Sequence, residues 1–101
     1  MTLILDETRP VALPPWVRLR FDKVRERWVL LAPERVLFPC ATSVEILERL
    51  PGVATLGDLI DGLAYEYEAP RAAIAADVTA MLADLAIQGF LVQPERESVH
   101  V

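Results

Sequence analysis

The stretch from Val17 to Phe38, VRLRFDKVRERWVLLAPERVLF, decides the fold. From Val17 to Asp22 apolar and charged residues alternate, with Val17, Leu19 and Phe21 on one face and Arg18 and Arg20 on the other. A period of two is the signature of a half-buried strand. Lys23 to Glu26 is a charged turn. Trp28 to Ala32 is then apolar on both faces, as a central strand would be. Ala32-Pro33-Glu34-Arg35 reads as a tight turn, because proline pre-sets φ at its first central position. Arg35 to Phe38 supplies a third strand, and connections this short favour an antiparallel meander. Pro39 has no N–H to donate, so it ends the pairing. In a sheet proline belongs at an edge, which leaves the third strand with an open side.

The rest of the chain is patterned for helices. Thr42 or Ser43 is expected to cap a first helix carrying Val44, Ile46, Leu47 and Leu50, which stops at Pro51-Gly52. Thr55 followed by Asp58 resembles a capping box for a second helix, with Leu56, Leu59, Ile60, Leu63 and Tyr67 at helical spacing and an end near Ala69. Pro70 suits the first turn of a third helix over Arg71–Gln88, with Gly89 just past its end. On that helix Ile74, Val78, Met81, Leu82 and Leu85 cluster on one arc, as a core stripe does. Ala72, Ala73, Ala76, Ala80 and Ala83 with Ile87 fill the opposite side, either as a solvated face or as a smooth surface for another backbone. Phe90 to Val92 is a short apolar return, and a polar tail follows from Pro94. Strands followed by helices define an α+β domain, a winged-helix-like order of three antiparallel strands and three helices.

Composition narrows the chemistry. A chain of 101 residues suits one domain, read as residues 1–101 with a core at about 15–92 and flexible ends. No apolar run approaches the roughly 20 residues of a membrane-spanning helix, and MTLILDETRP does not read as a secretory signal. One Cys forms no internal disulfide, consistent with a reducing cytoplasm. Residues 1–35 carry seven basic and five acidic groups, the remainder three and ten, so the chain divides into +2 and −7. That acidic majority is a poor surface for nucleic acid.

No constellation of reactive groups stands out. Asp58/Asp61 and Asp77/Asp84 are spaced along helix faces, where solvated charge is the ordinary reading. Cys40 reads as a small buried apolar group, and His100 as a solvated tail residue. There is no GxGxxG, Walker loop or CxxC, so nothing indicates an enzyme, a cofactor or a metal. An open strand edge, by contrast, can bind a peptide as an added strand, with main-chain bonds giving affinity and side-chain pockets giving specificity. It could equally be covered by a helix, by the C-terminal return, or by a second copy in an edge-to-edge homodimer.

Phe21-Asp22, then WVLLAPERVL from Trp28 to Leu37, Ile46-Leu47, Gly52, and Asp77-Val78 with Leu82 and Leu85 resemble the PqqD family of pyrroloquinoline quinone biosynthesis. The likeness spans about Pro15 to Val92. It implies a peptide-recognition domain that binds the precursor peptide PqqA as an added strand, in a groove between the third strand and third helix. It also implies presentation of that peptide to PqqE, a radical SAM enzyme. By position the groove would be lined by Arg35, Val36, Leu37 and Phe38 on one side and by Asp77, Val78, Met81 and Leu85 on the other. Two departures stand out: Pro39-Cys40 where the family commonly reads Leu-Asn, and Pro51-Gly52 where many members read Asp-Gly. The first limits an added strand to pairing as far as Phe38, or shifts its register. The rival readings are a winged-helix DNA-binding regulator, which lacks a basic recognition helix here, and a structural dimerisation module.

Overall fold

A computed structural model describes residues 5–94; His100 and the tail beyond Pro94 lie outside them. The order is three strands, β1 (Arg18–Asp22), β2 (Arg27–Ala32) and β3 (Arg35–Leu37), then α1 (Ala41–Arg49), a short 3₁₀ turn (Leu50–Gly52), α2 (Leu56–Tyr67) and α3 (Arg71–Ile87). The strands form one antiparallel sheet in the order β1-β2-β3, so the expected α+β meander is the observed one. Arg18 pairs with Leu31, Leu19 with Leu30 and Phe21 with Trp28; Leu30 pairs with Leu37 and Leu31 with Val36. Alternation then puts Leu19, Leu30 and Leu37 on one face and Arg18, Arg20, Val29, Leu31 and Val36 on the other.

The first of these faces meets the helices. Leu30 is wholly buried together with Leu56, Ile60 and Leu82, and Phe90 of the C-terminal return closes the same core. Leu19 and Leu37 pack at its margin. Phe21 does not reach it. Expected inside with Val17 and Leu19, it is 48% exposed and meets Trp28 edge-on at 5.6 Å, because the pair lies beyond the end of the helical layer.

Helix ends depart from expectation in two places. α1 begins at Ala41 with Cys40 at the N-cap, ahead of the expected Thr42 or Ser43. Pro39 holds the preceding chain extended, so the helix starts as soon as φ is free, and no side chain caps it. Pro70 stands at the N-cap of α3, just outside its first turn. Thr55 does cap α2, its hydroxyl accepting from the Asp58 N–H at 3.1 Å. Glu68 turns left-handed to end α2. Gly89, at φ +88°, ends α3: its N–H donates to Ala86 and the Phe90 N–H to Leu85, the paired bonds of a Schellman stop.

The N-terminal arm, which carries no regular element, completes α2. Leu56 and Gly57 donate their N–H groups to the carbonyls of Arg9 and Glu7 at 2.9 and 2.8 Å. These are donors a helix start leaves without intrahelical partners. Val11 is buried in the core, and Ala12 exchanges two backbone bonds with Val92, both 2.9 Å. Arg49 of α1 bridges Glu45 of its own helix and Glu66 of α2, and Arg71 of α3 bridges Asp61 of α2 and Glu7 of the arm. Among the described residues no helix is long and apolar enough to cross a membrane.

Two outcomes follow from this packing. A Cβ at Gly57 would sit 3.0 Å from the Glu7 carbonyl, whereas one at Gly62 meets nothing within 4 Å. In urea unfolding, Gly62→Ala should stabilise by about 0.5–1 kcal/mol through helix propensity; Gly57→Ala should gain nothing or lose stability. The second outcome concerns acid. Hydrogen bonding from Arg49 holds the Glu66 carboxyl below its ordinary value. A depressed carboxylate stabilises the fold above its unfolded value, and that contribution is lost as pH falls through the folded one. Glu66→Gln should therefore lower Tm slightly at neutral pH, and the two proteins should converge as pH falls through the folded value.

Candidate peptide-binding site

β3 pairs on one side only, through Leu30, Leu31 and Ala32 of β2. The hairpin closes over Pro33 and Glu34, with Glu34 at φ +62°, the left-handed second position of a type II turn. In a two-residue hairpin the closing residues, here Ala32 and Arg35, exchange both bonds, and hydrogen-bonded pairs recur every second residue. Arg35 and Leu37 therefore spend their backbone groups on β2, while the N–H and C=O of Val36 point to the open side. The next inward residue is Pro39. Its missing N–H is lost to β2 rather than to a guest, and β3 accordingly ends at Leu37, with Phe38 just beyond it. This revises the expected third strand, Arg35–Phe38, and moves the cost of Pro39 to the inner ladder.

Arg35 spans from the edge to the end of α3. Its guanidinium donates to the Gln88 carbonyl and lies over the Phe90 ring, 5.1 Å from its centroid. A cation at a helix C-terminus meets the negative end of the dipole, so this contact holds β3 against α3.

Five of the eight expected groove residues divide between two hollows, while Arg35, Leu37 and Leu85 line neither. Asp77, Val78 and Met81 of α3 line one of about 240 Å³ with Cys40, Thr42, Ser43 and Ile46 of α1 and Leu63, Tyr67 and Ile74. Leu85 is 5% exposed and sits in the core, with Leu82. Val36 and Phe38 instead border a wider hollow of about 500 Å³ on the sheet face turned away from the helices, floored by Val29 and Leu31 and rimmed by Phe21, Arg20, Asp22, Lys23 and Arg25. The apolar character of β2 on both faces carried the signal for this second hollow. The α1 and α2 residues of the first gave none, since only the approach of the helix ends brings them together. Ala72, Ala73, Ala76 and Ala80 of α3 are exposed, and Arg71, its one basic residue, is held in ion pairs.

Cys40 is not the buried group its sequence setting suggests: as the N-cap of α1 at the mouth of the smaller hollow it is exposed, its sulfur 3.3 Å from the Ser43 hydroxyl. The Ser43 hydroxyl and the backbone N–H groups of the first turn pull its thiol below the ordinary value.

Among the described residues the sheet thus leaves β1 and β3 unpaired on their outer sides, and β3 is the edge that leads into a helix-lined hollow. The sequence profile described as Coenzyme PQQ synthesis protein D (PqqD) matches residues 27–91, and the chain belongs to the PqqD family. A protein of Rhodopseudomonas palustris (strain BisB5) named PqqA binding protein is 52% identical over 95 residues, covering 94% of this chain and 91% of its own. One of the same name from Bradyrhizobium diazoefficiens is 47% identical over 95 residues, with 94% and 91% covered. Among solved structures, the solution NMR structure of the PqqD truncation of Methylobacterium extorquens PqqCD matches with a TM-score of 0.73. It is 38% identical and covers 89% of this chain and 96% of its own. That protein is described as a functional, stand-alone recognition element for ribosomally synthesised and post-translationally modified peptides.

The geometry at Cys40 has a measurable consequence. Ser43→Ala should raise the thiol titration midpoint and slow alkylation by iodoacetamide at a fixed pH near 8. A rate unchanged by the substitution would remove Ser43 as the cause.

Proposed function

We propose that this protein binds the PqqA precursor peptide as a strand added to β3 and presents it to PqqE in the cytoplasm, acting as a binding protein rather than an enzyme. The observation that carries the reading is the open backbone edge at Val36, continued by Phe38, beside an apolar hollow on α3. The names of the relatives from Rhodopseudomonas and Bradyrhizobium supply the peptide. A guest strand would satisfy the outward N–H and C=O of Val36 and bury apolar side chains, each worth roughly 1.5–3 kcal/mol when fully covered. These gains must exceed the ordering cost of a flexible peptide, which leaves a usable but reversible affinity. Chemistry on the peptide then falls to PqqE.

Isothermal titration and ¹⁵N amide mapping with synthetic PqqA test the reading. Binding should move the Val36 and Phe38 amides most and protect Cys40 from alkylation. Val36→Pro removes an outward N–H without costing the β2–β3 ladder a bond, so it should weaken the peptide more than tenfold while the amide spectrum stays dispersed. Absence of heat and of amide shifts at high peptide concentration would sink the proposal. The same edge could pair two copies of the chain; sedimentation velocity with and without PqqA distinguishes a competing dimer from a simple complex.

A further inference from the structure

A strand added at β3 has two faces, and only one of them looks toward the helices. Side chains alternate across a sheet, so the guest residue opposite Val36 and the guest residue opposite Phe38 both project over the outer face. There Val36 and Phe38 are 56% and 42% exposed, beside the apolar floor of Val29 and Leu31. The outer face is also where basic groups are left over. Arg25 is paired with Asp22, but Arg18, Arg20, Lys23 and Arg27 make no ion pair among the described residues.

Arg27, at the start of the central strand β2, is the one of these whose side chain reaches Phe38 beyond β3. Its guanidinium carbon lies 4.1 Å from the centroid of the Phe38 ring, stacked over the aromatic face. That contact holds the planar guanidinium at the ring, and its N–H groups make no hydrogen bond among the described residues. A planar, oriented fork of donors is the geometry that takes a carboxylate on two parallel bonds. A lysine at the same place would offer charge without that orientation.

We infer that Arg27 stacked on Phe38 is a carboxylate-reading subsite on the outer face of the sheet. The peptide that adds to β3 then carries an Asp or Glu there, two residues from an apolar side chain that covers Val36 and the hollow behind it. Whichever direction the guest runs, the two residues are separated by one, because Val36 and Phe38 are. The subsite rests on the proposed strand addition and extends it from one wall to two: the α3 hollow takes the alternate residues, and the outer face selects the acidic strand among apolar ones.

The test is a double-mutant cycle on the full chain, read by isothermal titration. Synthetic PqqA is used with each of its carboxylates in turn replaced by the amide, against wild type, Arg27→Gln and Arg27→Lys. Arg27→Gln should weaken PqqA about fivefold to tenfold. One Asp→Asn or Glu→Gln peptide should show the same loss with wild type and no further loss with Arg27→Gln. Arg27→Lys should recover part of the affinity and retain its salt dependence. Arg27 is exposed, and a dispersed amide spectrum confirms that the variant is folded. If wild type binds PqqA and Arg27→Gln binds every peptide equally well, the subsite is wrong and strand addition stands. If losses from Arg27→Gln and from each peptide carboxylate simply add, Arg27 acts as general positive charge and the subsite is also overturned. Failure of wild type to bind PqqA at all removes the peptide reading and the subsite with it.

Discussion

The hydrogen that Pro39 lacks sets the limits of the working parts of this molecule. Without it the β2–β3 ladder has no further inward bond to make, and β3 stops after three residues. The chain then turns directly into α1, whose first residues form one wall of the α3 hollow. Phe38 is left just past the strand, free of the ladder yet still aligned with its edge. A longer third strand would be a flatter and more adhesive edge, the kind that invites uncontrolled pairing. A short one ended by proline keeps the offered backbone to a single well-defined step.

Three strands and three helices also settle how apolar surface is distributed. The helices cover one face of the sheet, and Leu30, Leu56, Ile60 and Leu82 fill the space between them. No helix packs on the other face, yet Val29 at its centre is 6% exposed. The long stems of neighbouring basic side chains are suited to that shielding, since arginine and lysine can lie along apolar surface while their charges stay in water. The uneven division of charge along the chain thus has a spatial counterpart: basic strands, whose arginines lie over an apolar sheet face, and helices with acidic outer surfaces.

The strands were largely legible from the chain because their signals are local. Alternation in VRLRFD, the two-sided run WVLLA and the turn at Pro33-Glu34 each act within a few residues, and the pairing followed. Gly89 was legible for the same reason, since a left-handed helix stop favours a residue without Cβ. The helix starts were less so. Thr42 and Ser43 are good caps in isolation, but the extended chain imposed by Pro39 lets the helix begin earlier, and Ser43 turns its hydroxyl to Cys40 instead. Phe21 fits the buried pattern of its strand, yet no periodicity tells how far the helical layer extends over the sheet. The division of the expected groove residues into two hollows, and the retreat of Leu85 into the core, are facts of packing between elements distant in sequence.

The exchange of backbone bonds between Ala12 and Val92 joins the two ends of the described chain. Gln93 reinforces it, accepting from the Asp6 N–H, while Arg9 reaches the carbonyls of Gln93 and Pro94. A fold that fastens the two ends of its described part to each other asks nothing of a neighbour to hold them. Such a unit is portable: it can be joined to another protein through either extremity, or separated from one, without unravelling. The Methylobacterium relative, described as stand-alone though cut from the longer PqqCD, behaves in that manner.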